Sequence, residues 1–344
     1  MCCNTGELNR IDTPYTDLGG VQANISGAVF LGGSPTRALE LAEISLPGRT
    51  TQSIKQSNAV DIDPGNLSVA EPVSYPTSNG AVAHGFYFAP TNKLYSGPAD
   101  LKPPLVVVSH GGPTTATSST LNFKIQYWTS RGFAVLDVNY RGSTGYGRAY
   151  REQLDGNWGV ADVADCEAGV RYLAQQGDID PERAIIRGSS AGGYTTLCAL
   201  AFGHTFKAGA SLYGIGDLET LVRDTHKFEA RYLDRLVGPY PEQQSLYRQR
   251  SPVHAADQLS CPVIFLQGLE DKVVPPSQAE AMVEALRDKG IAVAYVTFEG
   301  EQHGFRRAAS IQRALESELY FYGKIFGFEP ADKIPPVTID NLDD

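Results

Sequence analysis

The feature that most limits how this chain can fold is an alternation of short apolar runs with helical segments. Six runs have the continuous apolar character of buried parallel strands, at 105–109, 133–138, 184–186, 208–212, 263–266 and 293–298. Segments with helical spacing lie between them, at about 118–130, 161–176, 192–203, 277–289 and 308–325. Strands that alternate with helices form a parallel sheet covered on both faces. We therefore predict the α/β class, with a doubly wound, mostly parallel sheet and a ligand site beyond the carboxyl ends of its strands.

One of these strand-to-helix junctions carries a serine in the pattern G-x-S-x-G. The run 184–186 leads into Gly188-Ser-Ser-Ala-Gly192, and helical spacing follows. A serine on a sharp turn between strand and helix is held in a strained conformation with its hydroxyl exposed, and the glycines let strand and helix approach closely. Ser190 is therefore the candidate nucleophile. Glycine and serine are also common in ordinary turns, so the interpretation requires an acid and then a histidine later in the chain.

Both partners follow in that order. Asp271 lies in a loop after the run 263–266, and Glu270 is its competitor. A helix-capping role for this carboxylate, before Ser277, is the alternative. His303 follows the last predicted strand and is the only one of the six histidines that comes after the acid. Such a histidine can contact the serine through one ring nitrogen and the aspartate through the other.

A fourth element follows the first buried strand. The stretch His110-Gly-Gly-Pro113 places glycines, whose backbone N–H groups no side chain obscures, directly after the run 105–109. We expect the amides of Gly112 and Ala191 to form an oxyanion hole. A plain Gly-Gly-Pro turn is the alternative, and His110 is interpreted as a structural hydrogen-bonding residue rather than a second base.

Candidates for substrate binding are aromatic residues and one arginine. The segment 217–250 interrupts the alternation of strands and helices, and we interpret it as a cap-like insertion beside the site. The aromatic candidates for an acyl or side-chain pocket are Tyr213, Phe228, Tyr232 and Phe305. Aromatic residues in such numbers also commonly form cores. Arg141 is either a clamp for a carboxylate or carbonyl, or a residue that holds the neighbouring glycine-rich loop.

The two ends of the chain differ from the middle. Residues 1–70 contain short β-like runs separated by Gly and Pro turns, which predicts a β-meander the size of one propeller blade. No second copy follows, so we expect that Met1 lies within an ancestral repeat array or at a truncation, and that the unpaired edges favour a homodimer. The catalytic domain is assigned to residues 71–328. The Pro- and Asp-rich segment 329–344 is predicted to be disordered.

Composition excludes several function classes. The formal net charge is −10, without a basic patch for nucleic acid. No apolar run is long enough to span a membrane, and the polar first ten residues lack the core of a signal peptide, which favours a cytoplasmic location. The five cysteines show no paired ligand spacing, so neither a metal nor another cofactor is expected.

Taken together, several motifs resemble the catalytic domain of the prolyl oligopeptidase family, in its acylaminoacyl-peptidase and aminopeptidase-like branch. They are His110-Gly-Gly-Pro113, Asn139-Tyr-Arg-Gly-Ser-Thr-Gly-Tyr-Gly147, Gly156-Asn-Trp-Gly159, Gly188-Ser-Ser-Ala-Gly-Gly193, Gly268-Leu-Glu-Asp-Lys-Val-Val-Pro275 and Gly300-Glu-Gln-His-Gly-Phe305. The resemblance covers roughly residues 70–327 and implies an α/β-hydrolase fold. It also implies Ser190, Asp271 and His303 as a catalytic triad, with the amides of Gly112 and Ala191 as the oxyanion hole. In the family, an amino-terminal β-propeller covers the active site and excludes large substrates.

The predicted function is that of a serine hydrolase that forms an acyl-enzyme. Residues 1–70 resemble only the last blade of the family's propeller, and an open site favours esters because their leaving groups depart more readily than amines. The leading hypothesis is a carboxylesterase-like activity on small acyl esters. The alternative is a peptidase that acts on short peptides or (acyl)aminoacyl amides, and a second alternative is an inactive module.

Overall fold

Two β-sheets organise the structure, a computed structural model that describes residues 6, 8–46, 48–58, 60–224 and 231–342, with the backbone alone at residue 224. In this part of the chain, a four-stranded antiparallel sheet precedes an eight-stranded, mostly parallel sheet that carries the helices. The larger unit has the α/β-hydrolase fold, as predicted. The small amino-terminal meander is also present.

The amino-terminal sheet is a meander in sequential strand order. Its strands are β1 (Asp17–Ala23), β2 (Gly27–Ser34), β3 (Arg37–Ser45) and β4 (Thr50–Gln56). A small cluster of Tyr15, Phe30, Ala42 and Ile44 forms its core. The apolar pattern predicted the regions of the first three strands but not β4, because that strand lies at an edge and most of its residues are exposed polar side chains.

The larger sheet contains the buried strands that the apolar runs predicted. In chain order its strands are β5 (Glu71–Pro76), β6 (Val82–Phe88), β7 (Pro104–Ser109), β8 (Ala134–Asn139), β9 (Asp180–Ser189), β10 (Ala208–Leu212), β11 (Val263–Gly268) and β12 (Val293–Phe298). Their spatial order is β12-β11-β10-β9-β7-β8-β6-β5. The pairs β5–β6 and β6–β8 are antiparallel, and the others are parallel.

The strand order reverses between β7 and β9, and this reversal positions the site. From β7 the chain proceeds to β8 on one side, and it then crosses to β9 on the other. Ser109 at the end of β7 pairs with Gly188 in β9. The loop that begins at His110 and the turn at Ser190 therefore leave the sheet side by side, at the kind of crevice where α/β proteins bind ligands.

Helices cover both faces of this sheet. They are α1 (Phe123–Thr129), α2 (Arg148–Glu152), α3 (Ala161–Gln176), α4 (Ala191–Phe202), α5 (Leu218–Asp224), α6 (Tyr232–Leu236), α7 (Gln244–Gln249), α8 (Pro276–Lys289) and α9 (Ala308–Phe326). The core on one face contains residues of α3, α4 and α8, and the core on the other contains residues of α1 and α9. Among the described residues, no helix has both the length and the apolar character needed to cross a bilayer.

The segment predicted as a cap-like insertion lies between β10 and β11. Its described residues form the short helices α5, α6 and α7. Leu221 of α5 and Tyr232 and Leu233 of α6 line the cavity at the nucleophile turn. The insertion therefore contributes one wall of that cavity.

The carboxy-terminal segment differs from the prediction of a disordered tail over its described residues. Asp340 forms an antiparallel bridge with Val293 of β12, and its carboxylate lies 2.6 Å from Nε of Arg287. Val337 is buried, and Ile334 and Ile339 pack against the same core. The Pro- and Asp-rich composition concealed these apolar anchors, which are spaced a few residues apart and fix the segment to the domain.

Candidate active site

The turn at Ser190 has the geometry that its sequence pattern predicted. Ser190 has a φ of 55° and a ψ of −122°, in the region that non-glycine residues rarely adopt. Its N–H donates to the carbonyl of Leu212 at 3.0 Å. A Cβ at Gly188 would lie 2.1 Å from the carbonyl oxygen of Gly192, and one at Gly192 would lie 2.1 Å from that of Ser109. The two glycines therefore permit a close approach of strands and helix that no larger residue allows.

The structure brings together the three residues predicted as a triad. Nε2 of His303 lies 2.8 Å from Oγ of Ser190, and its Nδ1 lies 2.8 Å from Oδ2 of Asp271. A carboxylate only accepts hydrogen bonds, so Nδ1 carries the proton and the lone pair of Nε2 faces the serine hydroxyl. This is the arrangement in which a histidine can take the proton of a serine.

Hydrogen bonds within the loop after β11 orient the carboxylate of Asp271. One of its carboxylate oxygens accepts hydrogen bonds from the N–H groups of Val273, at 2.8 Å, and Val274, at 2.9 Å. The Asp271 side chain is buried, whereas Glu270, its competitor in the sequence, is exposed. Helix α8 begins at Pro276 without a side-chain cap, so the capping alternative does not describe this carboxylate.

Two backbone amides lie beside the serine. Gly112, Ser190 and Ala191 line the same cavity. Ala191 is the first residue of α4, where N–H groups precede the hydrogen-bond ladder of the helix. Gly112 has a φ of 119°, and a Cβ there would lie 2.9 Å from the N atom of Thr114. The arrangement can supply two donors to a developing oxyanion.

Residues at the end of β8 hold the Gly111-Gly112 loop, and sequence analysis did not identify this role. Oδ1 of Asn139 accepts the N–H of Thr117 at 2.8 Å, and its Nδ2 donates to the Thr117 carbonyl at 3.1 Å. The hydroxyl of Tyr140 lies 3.0 Å from the carbonyl oxygen of His110 and 3.1 Å from that of Pro113. The only signal in the sequence was the position of Asn139 and Tyr140 directly after a buried strand.

His110 supports the same loop. Its Nδ1 lies 2.7 Å from the carbonyl oxygen of Gly111, its Nε2 lies 2.7 Å from Oγ of Ser143, and its ring stacks on Tyr140 with centroids 4.2 Å apart. Burial lowers the pKa of His110 to about 4, so the ring is neutral near pH 7. These contacts agree with a structural role.

The cavity at the serine is small and mostly apolar. Its volume is about 220 Å³. Besides Gly112, Ser190, Ala191 and His303, its lining consists of Pro113, Trp158, Ile215, Leu221, Tyr232, Leu233, Val273 and Val274. This volume is smaller than that of a typical site for a whole drug-sized ligand, so the cavity suits a single bulky apolar group.

The predicted pocket residues occupy different places. Tyr232 lines the cavity, and its hydroxyl lies 2.6 Å from Oγ1 of Thr114 in the loop after Gly112. Phe305 packs against Phe298, with ring centroids 4.3 Å apart, and is absent from the lining. Tyr213 contacts the ring of His303 instead of the cavity. Phe228 lies outside the described residues.

Arg141 does not face the cavity. Its guanidinium forms a buried ion pair with Asp165, at 2.8 Å, and it also donates to Oγ of Ser78 at 2.8 Å. The backbone N–H of Arg141 donates to the same carboxylate at 2.7 Å. Because the guanidinium is already paired, these contacts favour a structural role over a clamp for substrate, with Asp165 and Ser78 as partners and not the glycine-rich loop. Within the described residues there is no group of three or more His, Cys, Asp or Glu side chains arranged to hold a metal ion.

Known proteins are similar to this chain in sequence and in architecture. The sequence profile of the prolyl oligopeptidase family matches residues 119–329. Dipeptidyl aminopeptidase BIII of Pseudoxanthomonas mexicana is 34% identical over 217 residues, which are 61% of this chain and 32% of that protein. The acylamino-acid-releasing enzyme of Arabidopsis thaliana is 31% identical over 215 residues, or 59% of this chain and 28% of that protein.

Solved structures match over nearly the whole chain. A puromycin-hydrolyzing peptidase of Mycobacterium tuberculosis is 42% identical, with a TM-score of 0.96 over 98% of this chain and 51% of that one. A puromycin hydrolase is 40% identical, with a TM-score of 0.94 and the same coverage. The chain thus spans about half the length of these structures and about a third of that of the two curated relatives. On the profile match and the α/β-hydrolase fold, the chain belongs to the prolyl oligopeptidase family of serine hydrolases.

Proposed function

We propose that this protein is a serine peptidase that cleaves amide bonds in short peptides or aminoacyl amides. The observation that carries the proposal is the hydrogen-bonded series Ser190–His303–Asp271, of which Ser190 and His303 line a mostly apolar cavity. The similar proteins are named as an aminopeptidase, an acylamino-acid-releasing enzyme and puromycin hydrolases. These names support the proposal of an amide substrate over that of an ester substrate. The sequence-based preference for a carboxylesterase is therefore less well supported than its alternative.

The mechanism proceeds through an acyl-enzyme. His303 takes the proton of Ser190 as Oγ attacks the carbonyl carbon, and the amides of Gly112 and Ala191 stabilise the oxyanion. The imidazolium, oriented by Asp271, then gives the proton to the leaving amine, and the C–N bond breaks. Water, activated by the same histidine, attacks the ester and releases the acid. An amine is a poor leaving group until it is protonated, so the fixed position of His303 matters more for amides than for esters.

The cavity suggests which acyl groups bind. Apart from Ser190, His303 and the backbone of Gly112 and Ala191, its lining consists of aliphatic and aromatic side chains, and its volume of about 220 Å³ suits one large side chain. We infer a preference for amides of leucine, phenylalanine or tyrosine-like residues. Puromycin, an amide of O-methyltyrosine, has such a side chain and is named in the two related structures. We therefore include puromycin among the proposed substrates.

The test compares four substrates under one set of conditions. We expect a higher kcat/KM for phenylalanine p-nitroanilide than for p-nitrophenyl butyrate, and release of the amino-nucleoside from puromycin. Acetylphenylalanine p-nitroanilide shows whether a free amino group is required. The S190A variant supplies the background rate for each substrate. A higher kcat/KM for the butyrate ester would return the carboxylesterase hypothesis to first place, and no turnover at all would favour the inactive module.

A further inference from the structure

We propose that Tyr213 is a positioning residue that holds the imidazole of His303, which rests on the proposed roles of Ser190, His303 and Asp271. The rings of Tyr213 and His303 are 5.0 Å apart between centroids, at an interplanar angle of 66°, in an edge-to-face contact. Tyr213 is absent from the cavity lining. Its ring contacts the site at the histidine, and its hydroxyl interacts with the side chain of Ser189.

The backbone at Tyr213 is strained. Tyr213 follows the last residue of β10 and has a φ of 40°, which is unusual for a bulky residue. Its N–H still donates to the carbonyl of Leu266 at 2.8 Å, so the residue remains anchored to β11. Strain of this kind costs on the order of 1–3 kcal/mol and is concentrated at functional sites. Here, the strained residue is the one whose ring contacts the histidine.

A second aromatic contact fixes the Tyr213 ring. Phe305 meets it edge-to-face, with centroids 5.3 Å apart and an angle of 87°, and Phe305 in turn packs on Phe298 of β12. A Cβ at Gly304 would lie 3.9 Å from the tyrosine hydroxyl, which shows how closely the histidine loop follows this ring. Burial raises the pKa of Tyr213, so the phenol is neutral near pH 7 and adds no charge beside the imidazole.

This packing restrains a motion that the hydrogen bonds leave free. The bonds at Nδ1 and Nε2 lie on opposite sides of the ring, so the imidazole can still rock about the line that joins them. In the acyl-enzyme, Oγ of Ser190 is esterified and no longer donates to Nε2. The contacts with Asp271 and Tyr213 then hold the ring for the attack of water. Loss of the Tyr213 ring should therefore lower kcat and leave ground-state binding unchanged.

Three substitutions distinguish the effect of losing the Tyr213 ring from the effect of losing its hydroxyl and from a general loss of folding. Y213F keeps the ring, and its kcat should stay within about threefold of the wild-type value, since no hydroxyl contact is invoked. Y213L and Y213N remove the ring, and asparagine tolerates a positive φ. Both should lower kcat about 10- to 100-fold with KM changed by less than about twofold, because small misplacements of catalytic groups have effects of this size. Y295L, which removes a half-buried tyrosine ring of β12, is the matched control.

A readout independent of turnover completes the test. The Nδ1–H proton shared by His303 and Asp271 should give a downfield proton NMR signal in the wild type and in Y213F and Y295L. We expect it to broaden or disappear in Y213N and Y213L, with circular dichroism unchanged. Wild-type kcat and an unchanged signal in the folded Y213N protein would overturn the proposal, as would a rise in KM at constant kcat. If the wild type itself were inactive, the proposed function would fail, while the NMR signal would still test the packing role.

Discussion

At the scale of single residues, the site depends on backbone positions that only glycine can occupy without displacing its neighbours. Gly112 has a φ of 119°, and a Cβ there would lie 2.9 Å from the N atom of Thr114 and 3.0 Å from Cγ2 of Thr115. The Gly112 amide, as the proposed oxyanion donor, must lie within hydrogen-bond distance of the carbonyl oxygen of the substrate. A shift of the loop by a few tenths of an ångström therefore weakens that hydrogen bond in the transition state.

The substitution G112A tests this residue. A methyl group there meets Thr114 N at 2.9 Å, so the loop must move and the amide with it. Loss of one oxyanion donor typically lowers kcat about 10²- to 10³-fold, and we expect a loss of that order with little change in KM. The control is G97A, where a Cβ meets no atom within 4 Å. A G112A enzyme with wild-type kcat would exclude the Gly112 amide from catalysis.

Asp137 allows a test through stability instead of rate. It is buried in β8 and accepts a hydrogen bond from Oγ1 of Thr117, and burial raises its pKa to about 7. Since the folded state holds the proton more tightly than the unfolded chain, the stability that this group contributes is present at low pH and is lost as the pH rises towards 7. That loss is up to about 1.4 kcal/mol per pH unit.

The variant D137N removes this titration and keeps an acceptor for Thr117. We expect D137N to be more stable relative to wild type at about pH 8 than at about pH 5, so the free energy of unfolding of D137N minus that of wild type should be larger at the higher pH. Chemical denaturation at both pH values measures the difference. D288N, at an exposed carboxylate, serves as the control. A difference that is the same at both pH values would show that Asp137 is ionised throughout.

The sequence predicted the three residues of the hydrogen-bonded series because each follows a recognisable strand, in a fixed order. It did not predict the roles of Asp137, Asn139 and Tyr140. Their contacts with the loop after β7 arise from the pairing of β7 with β8, which brings together residues twenty or more positions apart. A local pattern carries no information about which strands become neighbours.

At the scale of elements, the site is assembled from the ends of four strands and the helices of the insertion. The loops after β7, β9 and β12 bring Gly112, Ser190 and His303 to the cavity. The loop after β11 brings Asp271 to His303, and α5 and α6 close one side of the cavity. The alternating apolar runs predicted the strands of the larger sheet. They could not predict which aromatic residues face the cavity, since side-chain direction depends on how the insertion packs.

The substitution L221F tests the role of α5 in selecting the side chain. Leu221 lines the cavity, and a larger residue there reduces its volume. We expect kcat/KM for phenylalanine p-nitroanilide to fall about tenfold, while that for the alanine analogue stays within about twofold, since a few methylene groups account for differences of this size. V222F is the control on the same helix, because Val222 does not line the cavity. Equal losses for both substrates would place the acyl side chain elsewhere.

At the scale of the whole molecule, the amino-terminal sheet meets the catalytic unit close to the loop that carries Gly112. The N–H of Leu121 donates to the carbonyl of Ser34 at 2.8 Å, and Oγ1 of Thr120 lies 3.2 Å from Asp17. Within the described residues, neither β1 nor β4 pairs with a second strand on its outer edge. The pattern of short β-like runs and Gly and Pro turns predicted the meander, but its contacts with residues 120–121 became visible only in the folded structure.

These open edges lead to a prediction about assembly. Several apolar side chains of the sheet are exposed, among them Leu18, Val21 and Ile54. Open edges with apolar neighbours favour strand pairing between copies, so we expect a homodimer at micromolar concentration. Light scattering with size-exclusion chromatography measures the mass, and V21K and I54K should shift it towards the monomer. A monomeric wild-type protein would contradict the prediction.

The central claim is that Ser190 is a nucleophile activated by His303. Its most direct test is mass spectrometry of the protein after treatment with a fluorophosphonate, followed by peptide mapping. We predict a single phosphonyl adduct on Ser190, formed at the wild-type rate in Y295L, absent in S190A and greatly slowed in H303Q. Folded protein that stays unlabelled, or an adduct on the neighbouring Ser189 in place of Ser190, would contradict the account.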